Sequence, residues 1–169
     1  MTVTRHVDSK DGWREAVYSD CEKYRYSLTS VWEEGAPRLL YVMLNPSKAT
    51  ELSNDPTIER CERRARRLGY GAFGVVNLFG LRETSPARLK SAEQPEGPDN
   101  MAQIEAAAKW SDHVLAAWGV HGAHRNQGAR VLPKLRDSGK PLFHLGLTKG
   151  GHPRHPLYVS YEIKPITWL

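Results

Sequence analysis

Residues 39–47 read LLYVMLNPS. From Leu39 to Leu44 the run is apolar, broken only by the amphipathic Tyr41, and it stops at Asn45-Pro46-Ser47. A short, near-continuous apolar run of this kind fits a strand buried on both faces of a sheet. Pro46 has no N–H to give to a ladder, and Asn45 and Ser47 bond readily to nearby backbone. The reading is a central strand over 38–44 that ends abruptly in a polar turn. In open parallel α/β sheets, ligands bind just beyond the carboxyl ends of the strands. Asn45-Pro46-Ser47 is therefore the expected floor of a site.

On the amino-terminal side, residues 16–34 read as a hairpin, with Tyr24, Tyr26 and Leu28 alternating with Lys23, Arg25 and Ser27. On the carboxyl-terminal side, Asp55 before Pro56 is a strong helix start. Ile58, Cys61, Ala65 and Leu68 then mark one apolar helical face, and Gly69 marks a stop. A second strand is expected over 72–79 (AFGVVNLF). Asn100 with Gln103 resembles a capping box opening a helix to about Lys109. A third strand follows over 113–119, a helix near 127–138 that contains Pro133, and a fourth strand over 141–147. Strands thus alternate with helices. The expected fold is one α/β domain, a three-layer α/β/α arrangement with a mainly parallel four-stranded central sheet. The hairpin over 16–34 precedes a core over 38–160.

Composition narrows the function classes. The chain has 169 residues and suits a single domain. No apolar stretch approaches the roughly 20 residues that cross a bilayer, and the polar start MTVTRHVDSKDGW has no secretory apolar region. A cytoplasmic protein without membrane association is expected. Cys21 and Cys61 have no paired spacing, so no disulfide framework or cysteine metal site is expected. Formal charge is +5 and the sequence pI is about 9.3, which is compatible with nucleic-acid binding.

The four strand ends should meet at one edge, carrying Asn45, Ser47, Asn77, Phe79, Trp118 and the loop over 148–160. An asparagine amide has an acceptor and two donors, which matches the edge of a nucleobase, and an aromatic ring gives an unstacked base a face. Each asparagine alone is better read as a strand-end cap; the two together, on equivalent strand ends, suit either role.

The pieces LLYVMLNPS, VVNLF, DHVLAAWG and HPLYVS, in that order, resemble the uracil-DNA glycosylase superfamily. Over roughly 15–168 the chain also resembles an uncharacterised bacterial family of unknown function, through MLNPS, NDPTI, VVNLF, AAWG and GLTKGGHPRHPLY. The glycosylase resemblance implies a glycosylase-like fold and a hydrolase acting on a modified or mismatched pyrimidine in DNA. It also implies roles: Asn45 orients the attacking water, and Ser47 is a base-binding candidate. Asn77 reads the base, Phe79 stacks on it, and His155 stabilises the departing base anion. Arg60, Arg82, Lys149, His152 and Arg154 are the candidates for phosphate contacts. An amide has no useful pKa, so Asn45 could orient water but could not deprotonate it.

A non-catalytic nucleic-acid or nucleotide-binding module on the same fold is the alternative. A metal hydrolase is a third reading, through His121-x-x-His124 and His152-x-x-His155, but both pairs fall in loops with no accompanying carboxylate. No Walker loop, dinucleotide fingerprint or serine elbow is present, and no cofactor or metal is expected.

Overall fold

The computed structural model describes all residues from 1 to 169. Eight strands form one sheet: β1 (Thr2–Ser9), β2 (Gly12–Ser19), β3 (Arg25–Val31), β4 (Arg38–Met43), β5 (Ala72–Asn77), β6 (His113–Ala116), β7 (Leu142–His144) and β8 (Ile166–Thr167). Their spatial order is β1-β2-β3-β5-β4-β6-β7-β8. The helices are α1 (Pro56–Arg67), α2 (Pro86–Ser91), α3 (Asn100–Trp110) and α4 (Gln127–Asp137).

This corrects the expected fold class. The sheet is not mainly parallel and four-stranded, and the glycosylase-like fold that the resemblance implied goes with it. Pairings β4–β5, β4–β6 and β6–β7 are parallel, whereas β1–β2, β2–β3, β3–β5 and β7–β8 are antiparallel. The hairpin is β2–β3, beginning at Gly12 and overlapping the expected 16–34, and it joins the sheet beside β5. The polar start of the chain is strand β1, an edge strand whose residues are mostly exposed. Charged residues such as Arg5 and Asp8 keep such an edge from pairing further, and they also hide it from a reading based on apolar runs.

The apolar run works as a strand buried on both sides. Leu39, Tyr41 and Met43 join Ile58, Cys61 and Ala65 of α1 in one core cluster. Leu40 and Val42 join Leu89 of α2, Ile104 and Ala108 of α3, and Val131 and Leu135 of α4 in the other. Alternate side chains of one strand thus feed two layers of helix. No helix is long and apolar enough to cross a membrane.

Helix α1 starts as its sequence signals. Asp55 accepts from the Ile58 N–H at 2.9 Å, Pro56 occupies the first turn, and Gly69 takes a positive φ of 91° beyond the end. The capping box at Asn100 is not formed. The residue before α3 is Asp99, which makes no side-chain cap. Asn100 is buried and turns its amide to the sheet.

A bulge sits in β3. Val17 faces Ser27, but Tyr18 faces Arg25, which leaves Tyr26 as an extra residue between them. The bulge breaks the two-residue alternation and brings Arg25 to the same face as Leu28 and Tyr18. Arg25, expected among the outward residues of the hairpin, is 2 % exposed.

Candidate functional site: a cleft at the ends of β4 and β5

A cleft of about 210 Å³ opens where β4 and β5 end. Asn45, Ser47, Asn77 and His155 line it together, as the sequence reading expects. Arg25, Asp55, Thr57, Glu83 and Thr84 line it too.

Asn45 is a tie between two loops. Its amide nitrogen donates to the carbonyls of Pro46 at 3.1 Å, Leu81 at 3.2 Å and Glu83 at 2.7 Å. The backbone continues the pairing past the strands, through Leu78 N–H to Met43 O and Phe79 N–H to Leu44 O, both at 2.9 Å. With the amide hydrogens committed, only the side-chain carbonyl of Asn45 is left for a ligand.

Asn77 is the opposite case. The residue is 1 % exposed, and neither its Oδ1 nor its Nδ2 has a partner. Its backbone, in contrast, is held. Asn100 Nδ2 donates to Asn77 O at 2.8 Å and to Leu78 O at 3.1 Å, and Gln127 Nε2 donates to Leu78 O at 3.1 Å. Two buried amides therefore fix the strand end while the third is unspent. A buried polar side chain without a partner costs about 1–3 kcal/mol, and such a cost in a cleft lining points to function.

Arg25 donates from Nη1 to Ala49 O at 2.7 Å, and its Nε is buried without a partner. Burial lowers its pKa to about 10, which leaves it charged at neutral pH. Asp55 partly offsets that burial. The carboxylate of Asp55 is itself occupied by the N–H groups of Ile58 and Ala49. Glu83 accepts from Ser85 N–H at 3.2 Å, Thr84 N–H at 3.0 Å and Arg88 Nε at 2.8 Å. Those contacts, the Ser85 N–H first, hold its carboxyl below the usual range. One cation, one capping carboxylate and one carboxylate paired to Arg88 leave the cleft close to electrically balanced.

His155 precedes a short turn over Pro156–Tyr158. Its Nδ1 accepts from Leu157 N–H at 3.2 Å, so the neutral ring carries its proton on Nε2. Burial lowers its pKa, with Asp55 acting in the other direction, which favours the neutral ring. The residue offers the cleft a fixed neutral donor.

The other expected residues lie elsewhere. Phe79 is fully buried against His124, with ring centroids 5.6 Å apart, and does not line the cleft. Arg60 donates to Val159 O at 2.6 Å and to Pro156 O at 3.4 Å, so it holds the terminal loop rather than a phosphate. The buried Arg64 completes that clamp on the carbonyls of Val159, Ser160 and Ile163. Arg82 donates to Glu22 O at 3.3 Å. Lys149 and Arg154 are exposed, and His152 lines a separate groove. No group of three or more His, Cys, Asp or Glu residues could hold a metal ion. The four histidines read as a possible metal set are spread over different surroundings.

Sequence reasoning missed Arg25, Glu83 and Thr84, and it placed Asp55 and Thr57 only at a helix start after the site loop. Asp55-Pro56-Thr57 directly follows the site loop and was the available signal. Arg25 gave none, because a bulge cannot be read from alternation.

No curated protein and no solved structure matches the chain. The family model described as Protein of unknown function (DUF1643) matches residues 25–157, which takes in every lining residue named above, and the chain belongs to that family.

Proposed function

We propose that the cleft recognises a nucleobase, carried on a nucleotide or in DNA. The observation that carries this is Asn77, whose donor and acceptor are both buried, unpaired and set in the cleft floor. An amide presents a donor beside an acceptor, which is complementary to the edge of a pyrimidine or purine. Arg25 and the Nε2–H of His155 supply further donors for a base carbonyl, and the carbonyl of Asn45 supplies an acceptor. A near-balanced cleft suits a neutral heterocycle better than a bare anion.

Base release is the second reading, favoured by His155. Cleavage of an N-glycosidic bond puts negative charge on the departing base, and a fixed neutral donor can be worth about 3–4 kcal/mol there. Arg25 would add a charged one. Water would have to be oriented by the carbonyl of Asn45 or by Asp55, because the Asn45 amide hydrogens are spent.

The test is single-turnover base release, with parallel equilibrium binding, on DNA carrying uracil, mismatched or hypermodified pyrimidines and on the matching free nucleotides. Wild type is compared with Asn77→Ala and His155→Ala. Binding lost in Asn77→Ala supports recognition, and release lost in His155→Ala with binding retained supports catalysis. Binding that ignores Asn77→Ala rejects the site. For DNA, affinity should fall steeply between about 50 and 200 mM salt; a flat response rejects the DNA form of the proposal.

A further inference from the structure

Asn77 is not the only buried side chain of the cleft with unspent hydrogen-bonding groups. Arg25 is buried too, and its one hydrogen bond runs from Nη1 to Ala49 O. Its Nε is sealed from solvent without a partner. The Nε–H lies on the same edge of the guanidinium as one N–H of Nη2, so this edge is a two-pronged donor with nothing to hold. Such a fork matches two acceptors set side by side. A carboxylate or a phosphate offers that pair, but Asp55 and Glu83 line the same cleft and oppose an anion.

Arg25 and Asn77 reach the cleft from neighbouring strands. β3 and β5 pair antiparallel, with Leu28 opposite Val75, and both of those residues pack in the core cluster shared with α1. Asn77 follows Val75 by two residues and keeps its face. The bulge in β3 puts Arg25 on that face as well. The fork and the amide therefore meet a ligand from adjacent places.

The bases differ in how many of these groups they satisfy at once. Guanine carries N7, O6 and N1–H in succession along one edge. N7 and O6 take the fork, the second lone pair of O6 takes Asn77 Nδ2–H, and N1–H meets Asn77 Oδ1. Cytosine gives O2 and N3 to the fork and N4–H to Oδ1, but N3 has a single lone pair and Nδ2 stays unpaired. Uracil satisfies the amide through O4 and N3–H and leaves one prong of the fork against C5–H. Adenine sets its amino group against the fork. A buried donor left unpaired is what makes a site reject the wrong ligand. We propose, on the base reading of the cleft, that it selects a 6-oxopurine such as guanine, with Arg25 on N7 and O6 and Asn77 on O6 and N1–H.

The test is equilibrium binding of the whole chain to guanine, hypoxanthine, 7-deazaguanine, 1-methylguanine, cytosine, uracil and adenine, each offered as a 5′-monophosphate and at a single position in oligothymidylate. Guanine and hypoxanthine share N7, O6 and N1–H and are expected to bind alike. Loss of N7 in 7-deazaguanine, or of N1–H in 1-methylguanine, should weaken binding by about tenfold or more, as should each of the other three bases. Arg25→Lys keeps the charge and loses the fork. Guanine and 7-deazaguanine should then bind equally, a loss of discrimination that a merely structural role of Arg25 would not produce. Wild-type binding of 7-deazaguanine equal to that of guanine overturns the role of Arg25. Cytosine, uracil or adenine bound as tightly as guanine overturns the 6-oxopurine preference and leaves the base reading standing. If none of the bases binds in either form, the base reading falls and the preference with it.

Discussion

Asn77→Leu should make the protein more stable and its cleft inert. Leucine has the branching of asparagine, so the side chain keeps its shape at the end of β5. The wild-type side chain holds two buried polar atoms without partners, and such an unpaired buried side chain costs about 1–3 kcal/mol. Removing both while adding apolar contact should gain stability, less about 1–2 kcal/mol for crowding by the slightly larger methyl groups. The expected net is a gain of about 1 kcal/mol. Urea unfolding reads this as a midpoint shift of about 0.5 M at an unchanged slope of about 2 kcal/mol/M. Ligand binding should disappear in the same variant. A stability gain with loss of binding is the signature of a group kept for function. A loss of 1 kcal/mol or more on Asn77→Leu would refute the reasoning, because the amide would then be part of the structure that holds β5.

Arg64→Met should free the terminal loop, since three carbonyls lose their donor; the expected cost is about 2–4 kcal/mol, read by thermal unfolding and by faster proteolysis after residue 156. Asn45→Ala should cost about 1–3 kcal/mol, because its amide ties the exits of β4 and β5; near-wild-type stability would mean that the tie is dispensable. Stability should also fall as pH drops below about 6.5. Burial lowers the pKa of His155, and His121 and His144 shift the same way. The unfolded chain therefore binds protons first, and stability present above the unfolded pKa is lost as pH falls toward the folded values. The midpoint temperature between pH 7 and 5 should drop less in His155→Gln than in wild type, and an equal drop would remove His155 from the account.

The parallel centre of the sheet was readable because each of its strands is apolar on two faces. Leu39 to Met43 feed α1 on one side and α2, α3 and α4 on the other, so no polar alternation interrupts the signal. The antiparallel wing gave no such signal. β1 is an exposed edge strand and β8 has only two residues, both exposed. Their pairing is decided by backbone hydrogen bonds and by neighbours far along the chain, which side-chain patterning does not encode. The neighbour of the hairpin was not legible for a related reason. β3 pairs with β5, so its neighbour is a strand that appears some forty residues later, not the next one in sequence.

The site was legible in the same measure. Residues that end a buried strand or cap a helix must be polar at a fixed place, and so Asn45, Ser47, Asn77 and Asp55 stand out from the sequence. Their chemistry was not legible, because it depends on what the rest of the chain gives each amide. Asn45 and Asn77 look equivalent at two strand ends. The carbonyls of Leu81 and Glu83 consume the donors of Asn45, while Asn100 and Gln127 serve the backbone around Asn77 and leave its side chain free. The roles therefore separate: Asn45 builds the cleft and Asn77 faces whatever enters it. The charge in the cleft comes from a third place, through the extra residue Tyr26 that rotates Arg25 inward. Removing Tyr26 would leave Arg25 opposite Tyr18 on the same inner face, so the cation is tested by its own substitution. If the cleft binds through donors to a base carbonyl, Arg25→Met should abolish binding even in a folded protein. Binding that survives Arg25→Met would leave Asn77 as the reader and remove Arg25 from the site.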